Sequence, residues 1–318
     1  MNRRRFIKHA AALSASARLA YRANAAPISP PPQFKVGAIS DGFSQDFEEA
    51  AGIIKSFGLQ WVEIRRVYGI YNTEATSAQI RQMNEIVKRN GLRVSVIDSA
   101  LYKCTLPGTT PITNEKDSYP YSGQDELLKR ACDRANVLGA GKVRIFTFWR
   151  VSEPDSISQR IAAELQKAAD LATSHGVRLV IENEESCNAA TGHELGRILA
   201  AVPVSNLGAN WDVGNGYTRG EVSYPNGYEQ LEKARIWHMH LKSMKCREAL
   251  RQCSETIAGE GQVDLVGQFK ALLRDRYHET MSVECEFSLP GLSHSDTAKR
   301  SVEGVLRAMT RAVADRNS

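Results

Sequence analysis

The sequence predicts an α/β fold, a single (β/α)8 TIM barrel. That expectation rests on three features. Short apolar runs alternate with helical patterns eight times along 318 residues. Glycines able to end a helix stand just before several of the runs. Four successive runs end in an acidic or imidazole residue: Glu182, Asp212, His240 and Glu284. Strand–helix alternation argues for a parallel sheet built of βα units, and eight such units close naturally as one barrel of roughly 250 residues. A doubly wound open sheet is the competing architecture, but the early βα turns lack the GxGxxG that would hold a dinucleotide there.

The first strand is expected at residues 35–39, with a helix over 46–57. The second unit pairs a strand at 61–64 with a helix over 77–90, the third 93–97 with 124–138, the fourth 142–148 with 156–174. The remaining units are 178–182 with 192–201, 207–212 with 226–233, 235–241 with 264–274, and 281–286 with 294–314. Asn90-Gly91, Leu138-Gly139-Ala140-Gly141 and His175-Gly176 read as helix C-caps leading into the next strand. Two connections are long. Residues 99–122 follow the third strand and are rich in Thr, Pro, Gly and Tyr; residues 243–263 follow the seventh and carry Gly259-Glu260-Gly261. Both belong at C-terminal strand ends and are expected to cover the mouth of the barrel.

A barrel over residues 34–314 leaves an N-terminal extension. Asn2-Arg3-Arg4-Arg5-Phe6-Ile7-Lys8 resembles the twin-arginine export motif, residues 10–17 form a short, weakly apolar stretch, and Ala23-Asn24-Ala25 or Asn24-Ala25-Ala26 supplies small residues for cleavage. Residues 1–26 are therefore expected to be a signal peptide, and the protein periplasmic or secreted. Pro27, Pro30, Pro31 and Pro32 make residues 27–33 a linker that cannot be helical. The leader also accounts for the formal charge of +5. It holds six of the 41 Lys and Arg and no acid, leaving 35 against 36 Asp and Glu, a net of −1. The basic balance is thus no sign of a nucleic-acid partner. No stretch approaches the ~18 apolar residues of a membrane span, so no stable membrane association is expected. The six cysteines are scattered without CxxC, and packed free thiols are the expectation, although Cys246 and Cys253 could pair in an oxidising compartment.

The chemistry lies in the quartet. Its members are spaced by 30, 28 and 44 residues, about one strand-plus-helix unit each, the last with a long loop. C-terminal strand ends of a barrel converge on one mouth. Two Glu, one Asp and one His meeting there form a hard, mostly oxygen-donor site for a divalent cation. Taken singly, Glu182 and Glu284 are plain strand ends and His240 a packed barrel histidine; as a set at parallel positions they read as ligands. His238, on the same strand face as His240, is either part of the site layer or a satisfied core histidine. Phe146, Phe148 and Trp149 are expected mainly in the core, Trp149 being the one placed to meet a sugar ring. Arg65, Arg66 and Glu184 read as solvated charges, and Glu260 as a turn near the mouth.

Five short motifs in order at strand ends carry a resemblance: Val180-Ile181-Glu182-Asn183-Glu184, Trp211-Asp212-Val213-Gly214-Asn215, His238-Met239-His240-Leu241-Lys242, Gly259-Glu260-Gly261-Gln262-Val263-Asp264 and Val283-Glu284. Together they resemble the sugar phosphate isomerase/epimerase family with the xylose-isomerase-like barrel, over residues 34–312. The resemblance implies one divalent metal, usually manganese, magnesium, cobalt or zinc, held by Glu182, Asp212, His240 and Glu284. In the family's ketose epimerases the two glutamates also face opposite sides of the substrate and move the proton, which makes Glu182 and Glu284 the expected catalytic pair. His238, Asn215, Lys242 and Glu260, with Trp149, are the expected substrate contacts. Asn215 stands where the sugar epimerases and the related DNA-repair nucleases have a His, and Ser243 where an Asp often follows the Lys. Members often pair into dimers or tetramers, so a homo-oligomer is compatible with the chain.

A sugar with a carbonyl next to a hydroxyl-bearing carbon can chelate such a metal, which stabilises the enediolate formed when the α-proton leaves. A carboxylate beside it is the base. One Glu on each face gives epimerisation; one Glu shuttling between neighbouring carbons gives isomerisation; a leaving group β to the carbonyl gives elimination. The expected activity is that of a metal-dependent isomerase or epimerase of a free sugar or keto-sugar. A lyase or hydratase on a keto-sugar or inosose is the alternative, and a non-catalytic sugar-binding barrel a further one. An abasic-site endonuclease would need three zinc ions on extra histidines. The chain has seven His, of which His9 is in the leader and none falls between residues 10 and 174. With the mature charge near zero, binding to a phosphate backbone is not expected.

Overall fold

A computed structural model describes residues 29–247 and 252–316; the signal peptide expected over 1–26 lies outside the described residues. Eight parallel strands form the barrel: β1 (Lys35–Ile39), β2 (Trp61–Ile64), β3 (Arg93–Asp98), β4 (Lys142–Ile145), β5 (Arg178–Glu182), β6 (Leu207–Asp212), β7 (Ile236–Leu241) and β8 (Thr280–Val283). Each strand pairs with its neighbour in sequence, and β1 closes the ring on β8. A closed parallel sheet is covered on its outer face and filled on its inner one, which is why the strands are buried almost throughout.

Among the described residues seven α-helices surround it: α1 (Phe47–Ser56), α2 (Ser77–Asn90), α3 (Gln124–Leu138), α4 (Ser158–Ser174), α5 (Gly192–Ala201), α6 (Leu265–Arg274) and α7 (His294–Ala314). Thr76 and Thr191 open α2 and α5 through reciprocal capping with Gln79 and Glu194. Gly91 and Gly139 end α2 and α3 at φ 66° and 69°, the left-handed turn expected of them.

The structure departs from expectation in four places. No regular helix spans 226–233; the β6–β7 connection uses short turns at Asn215–Arg219, Ser223–Gly227 and Lys233–Arg235. Pro225 has no N–H to give, and a Cβ on Gly227 would lie 2.7 Å from the Trp211 ring, so this segment packs by close backbone approach. β4 stops at Ile145 instead of 148, and β8 at Val283, which leaves Glu284 one residue past its strand. The connection after β7 is not plain loop: Ser243–Arg247 and Gln252–Thr256 form an antiparallel hairpin. Finally, Cys246 and Cys253 form a disulfide across that hairpin, whereas Cys104, Cys132, Cys187 and Cys285 are the buried free thiols expected.

The main hydrophobic cluster joins barrel and helices, with Trp211, Phe47 and Phe269 fully buried, and two small clusters, around Val96, Val180 and Trp237 and around Phe146, Trp149 and Cys187, stand apart from it. Helix α7 packs directly on the backbone that leaves the hairpin: a Cβ on Gly304 would stand 1.9 Å from the Ala258 carbonyl oxygen. Gly304→Ala is therefore expected to destabilise the fold by about 1–3 kcal/mol through overpacking. Urea unfolding would show this as a lower midpoint; an unchanged midpoint would mean that the helix shifts freely there. Among the described residues no helix is long and apolar enough to cross a membrane.

Candidate metal centre

Parallel register brings the quartet to one end of the barrel. Glu182 is level with Asn210 across β5–β6, Asp212 with His240 across β6–β7, and His240 with Ser282 across β7–β8. Just past β8, the Glu284 N–H donates to the Leu241 carbonyl at 3.1 Å. All four side chains are buried, and one donor atom from each lies within 4.8 Å of the others. His240 Nδ1 is 3.1 Å from Glu182 Oε1, 3.5 Å from Glu284 Oε2 and 3.7 Å from Asp212 Oδ2. The other Asp212 oxygen, Oδ1, accepts from the Gly214 and Asn215 N–H groups at 2.7 and 2.8 Å. Those bonds hold Oδ2 toward the group.

Three buried carboxylates at one point require compensation, and three cations supply it. Lys242 Nζ lies 2.8 Å from both Asp212 Oδ2 and Glu284 Oε2. Arg144 Nη1 lies 3.0 Å from Glu182 Oε2 and 3.4 Å from Asp98 Oδ2. Arg65 reaches Glu284 at 2.9 Å and Asp41 at 3.0 Å, and also pairs with Glu286. Burial pushes the Glu182 acid up, but His240 and Arg144 hold it down at about 2. Burial acts likewise on Glu284, and Lys242 and His240 keep it well below the carboxylate range. At Asp212 burial wins over Lys242, and its acidity is weakened. Burial lowers the His240 basicity, yet Glu63, Glu182 and Glu284 together raise it well above the ordinary value.

The donor set suits a hard divalent cation. Twice the usual ligand distance of such an ion, roughly 2.0–2.6 Å, is about 4–5 Å, which matches the span of the quartet. Glu182 Oε2 and Asp212 Oδ2 are buried and accept no aligned hydrogen bond, having only ion pairs. Glu182, Asp212, His240 and Glu284 would hold the ion.

A cavity of about 160 Å³ opens above the group, lined by Glu182, Glu284 and Lys242 together with Arg65, Lys103 and Arg144. The other expected contact residues lie elsewhere. His238 is one layer deeper, bonded to Glu63 and Thr280. The Asn215 amide donates to the Asn183 carbonyl at 2.8 Å. Trp149 is buried, its indole N–H given to Asp117 at 2.8 Å. Glu260 is exposed in its turn. Two residues read as solvated charges are not: Arg65 is partly buried in the ion-pair network above, and Glu184 pairs with Lys103 at 3.0 Å. Sequence reasoning also passed over Glu63, Asp98, Lys103 and Arg144. Glu63 and Arg144 carried a usable signal, since each is a charge inside a short run expected to be a barrel strand. A larger hollow of about 840 Å³ lies between the hairpin and the loops after β3, β4, β5 and β6, and no member of the quartet lines it.

Fold and site together define a barrel of the xylose isomerase type. Residues 51–309 match the model of the xylose isomerase-like TIM barrel family, and the chain belongs to that family. No curated protein matches the sequence. Among solved structures it is similar in fold to the IOLI protein with a bound zinc atom, at TM-score 0.66 and 16% identity, over 89% of this chain and 99% of that one. It is similar to D-allulose 3-epimerase from Methylomonas sp. in complex with D-allulose, at TM-score 0.65 and 17% identity, over 89% and 100% of the two chains. It is also similar to the probable 3-DHS dehydratase AsbF from Bacillus anthracis, at TM-score 0.65 and 15% identity, over 87% and 99%.

Proposed function

We propose that the protein is a metal-dependent isomerase or epimerase of a free sugar or keto-sugar. The observation that carries this reading is the buried quartet, with donors within 4.8 Å of one another, at the floor of a cavity at the barrel mouth. Collecting three carboxylates and an imidazole at one buried point is costly without a ligand to hold. A divalent cation bound there would supply a Lewis acid that stabilises negative charge developing on a substrate oxygen.

The remaining work falls to side chains. Glu182 and Glu284 are held ionised by their cationic neighbours, so either can accept a proton from the carbon next to a carbonyl. If one takes the proton and the other returns it on the opposite face, the carbon is inverted. If the same glutamate returns it to the adjacent carbon, the product is the isomeric aldose or ketose. Lys242 lines the cavity and can donate to a substrate oxygen, sharing its ammonium with Asp212 and Glu284. Fold likeness to an epimerase with bound sugar supports this reading. Likeness of the same degree to a probable dehydratase favours elimination as the second reading, with the same base and a β leaving group. Export through the N-terminal leader is part of the proposal; the Cys246–Cys253 disulfide supports it, since such bonds persist in oxidising compartments.

Elemental analysis of the purified protein and of His240→Ala tests the site. The expectation is about one divalent ion per chain in the wild type, lost with its imidazole ligand, and solvent deuterium entering keto-sugars at the α-carbon. If neither protein holds metal after reconstitution with manganese, the reading fails and a sugar-binding barrel takes its place.

A further inference from the structure

Below the quartet a line of polar side chains descends through the barrel interior. His240 Nε2 is 3.0 Å from Glu63 Oε1, and Glu63 Oε2 is 2.7 Å from His238 Nε2. His238 Nδ1 is 2.7 Å from Thr280 Oγ1, which is 3.0 Å from Lys142 Nζ. Lys142 Nζ reaches the carbonyl of Trp237 at 2.8 Å and Glu279 Oε2 at 3.1 Å. Glu63, His238 and His240 are fully buried, while the Glu279 side chain is 21% exposed. Lys142 and Thr280 are the first residues of β4 and β8, so the line runs from the mouth to the opposite face of the barrel.

The chemistry of each group sets the direction of every bond. An ionised Glu63 can only accept, so the single N–H of a neutral His238 sits on Nε2; Nδ1 then accepts the Thr280 hydroxyl proton, and Thr280 Oγ1 accepts from Lys142. The second N–H that Glu63 receives comes from His240 Nε2. With the Nε2 proton given to Glu63, the nitrogen that would give up its proton and offer a lone pair to a cation is Nδ1, the atom that faces Glu182, Asp212 and Glu284. The Asn210 amide lies 3.0 Å from the same Nε2. Its buried Oδ1 has no other partner, and with the amide turned about, Oδ1 accepts the same N–H.

We propose that Glu63 is a positioning residue for the metal centre. By bridging His238 and His240 it fixes both the tautomer and the ring rotation of His240, and the column through Thr280 and Lys142 fixes Glu63 in turn. This rests on the reading of the quartet as a metal site. A carboxylate that receives the second N–H of a ligating histidine raises its basicity and locks its orientation.

The test is calorimetric titration of Mn2+ into the full-length protein after metal removal, for wild type, Glu63→Leu and Glu63→Gln, with thermal unfolding of each recorded separately. Glu63→Leu is expected to weaken Mn2+ binding about 10–100-fold. Glu63→Gln keeps an oxygen that accepts from His240 and is expected to stay closer to the wild type than to Glu63→Leu. Equal Mn2+ affinity in wild type and folded Glu63→Leu overturns the proposal, as does an equal loss in both variants. If Glu63→Leu fails to fold, Thr280→Val serves instead: it leaves Glu63 in place, frees His238 Nδ1, and is expected to weaken Mn2+ severalfold, whereas an unchanged affinity overturns the proposal. A wild type that binds no Mn2+ overturns the metal-site reading and this inference together; a wild type that binds while the variants are unaffected overturns the positioning role alone.

Discussion

Glu284→Gln is expected to lower kcat about 10²–10⁴-fold, the usual contribution of a positioned general base, while the protein stays folded and keeps part of its metal affinity. The amide is nearly isosteric. Its oxygen can still accept from Arg65, which now lies 2.9 Å from Glu284 Oε1. The substitution removes the ionised oxygen that receives a proton and sets an NH2 group against Lys242, now 2.8 Å away. Turnover of a sugar substrate, α-carbon deuterium exchange and bound metal, measured side by side, separate the two losses. Full activity in the variant would remove Glu284 from the proton-transfer role, and loss of metal in proportion to activity would reduce it to a ligand.

The second large effect is on stability. Arg144 is buried, with its guanidinium between Asp98 and Glu182 and over the Phe146 ring at 4.7 Å. Arg144→Met removes the cation but leaves both carboxylates in place. Breaking a buried ion pair from one side costs about 3–5 kcal/mol, because a charge is stranded. Chemical unfolding of the metal-free protein is expected to show a loss of that size. Burial already pushes the Asp98 acid well above its ordinary range despite Arg144, so Asp98 can take up a proton and soften the effect. The double variant Arg144→Met/Asp98→Asn is accordingly expected to recover part of the loss, a coupling read from the mutant cycle. A single variant less than about 1 kcal/mol weaker than wild type would show that Arg144 does not compensate these acids.

Much of the architecture was legible because its signals are local. Apolar runs of four to six residues became strands within a residue or two at most boundaries. Gly91 and Gly139 became left-handed caps because few other residues adopt that conformation cheaply. The exceptions follow one pattern. The absent helix at 226–233 and the hairpin at 243–256 depend on what those segments touch, namely Trp211, Glu221 and one another, and no periodicity in a short stretch reports such contacts.

The quartet was likewise legible, since each member lies within one residue of the end of its own strand and parallel register does the rest. Its surroundings were not. Arg65 follows a strand and Glu184 lies in a loop, where a charge is solvated by default; only the closed barrel places Arg65 beside Asp41 and Glu284 across 24 and 219 residues of chain. The same holds for Glu63, which meets His238 and His240 from 175 and 177 residues away.

By itself, then, the sequence determined the barrel, the strand ends and the four residues that converge there, because hydrophobic period and helix termination act over a few neighbouring residues. The tertiary structure alone decided which cations balance those acids, which expected contacts fall outside the cavity, and the polar column beneath His240. Electrostatic compensation in a buried site depends on distance in space, and separation along the chain carries almost no information about it.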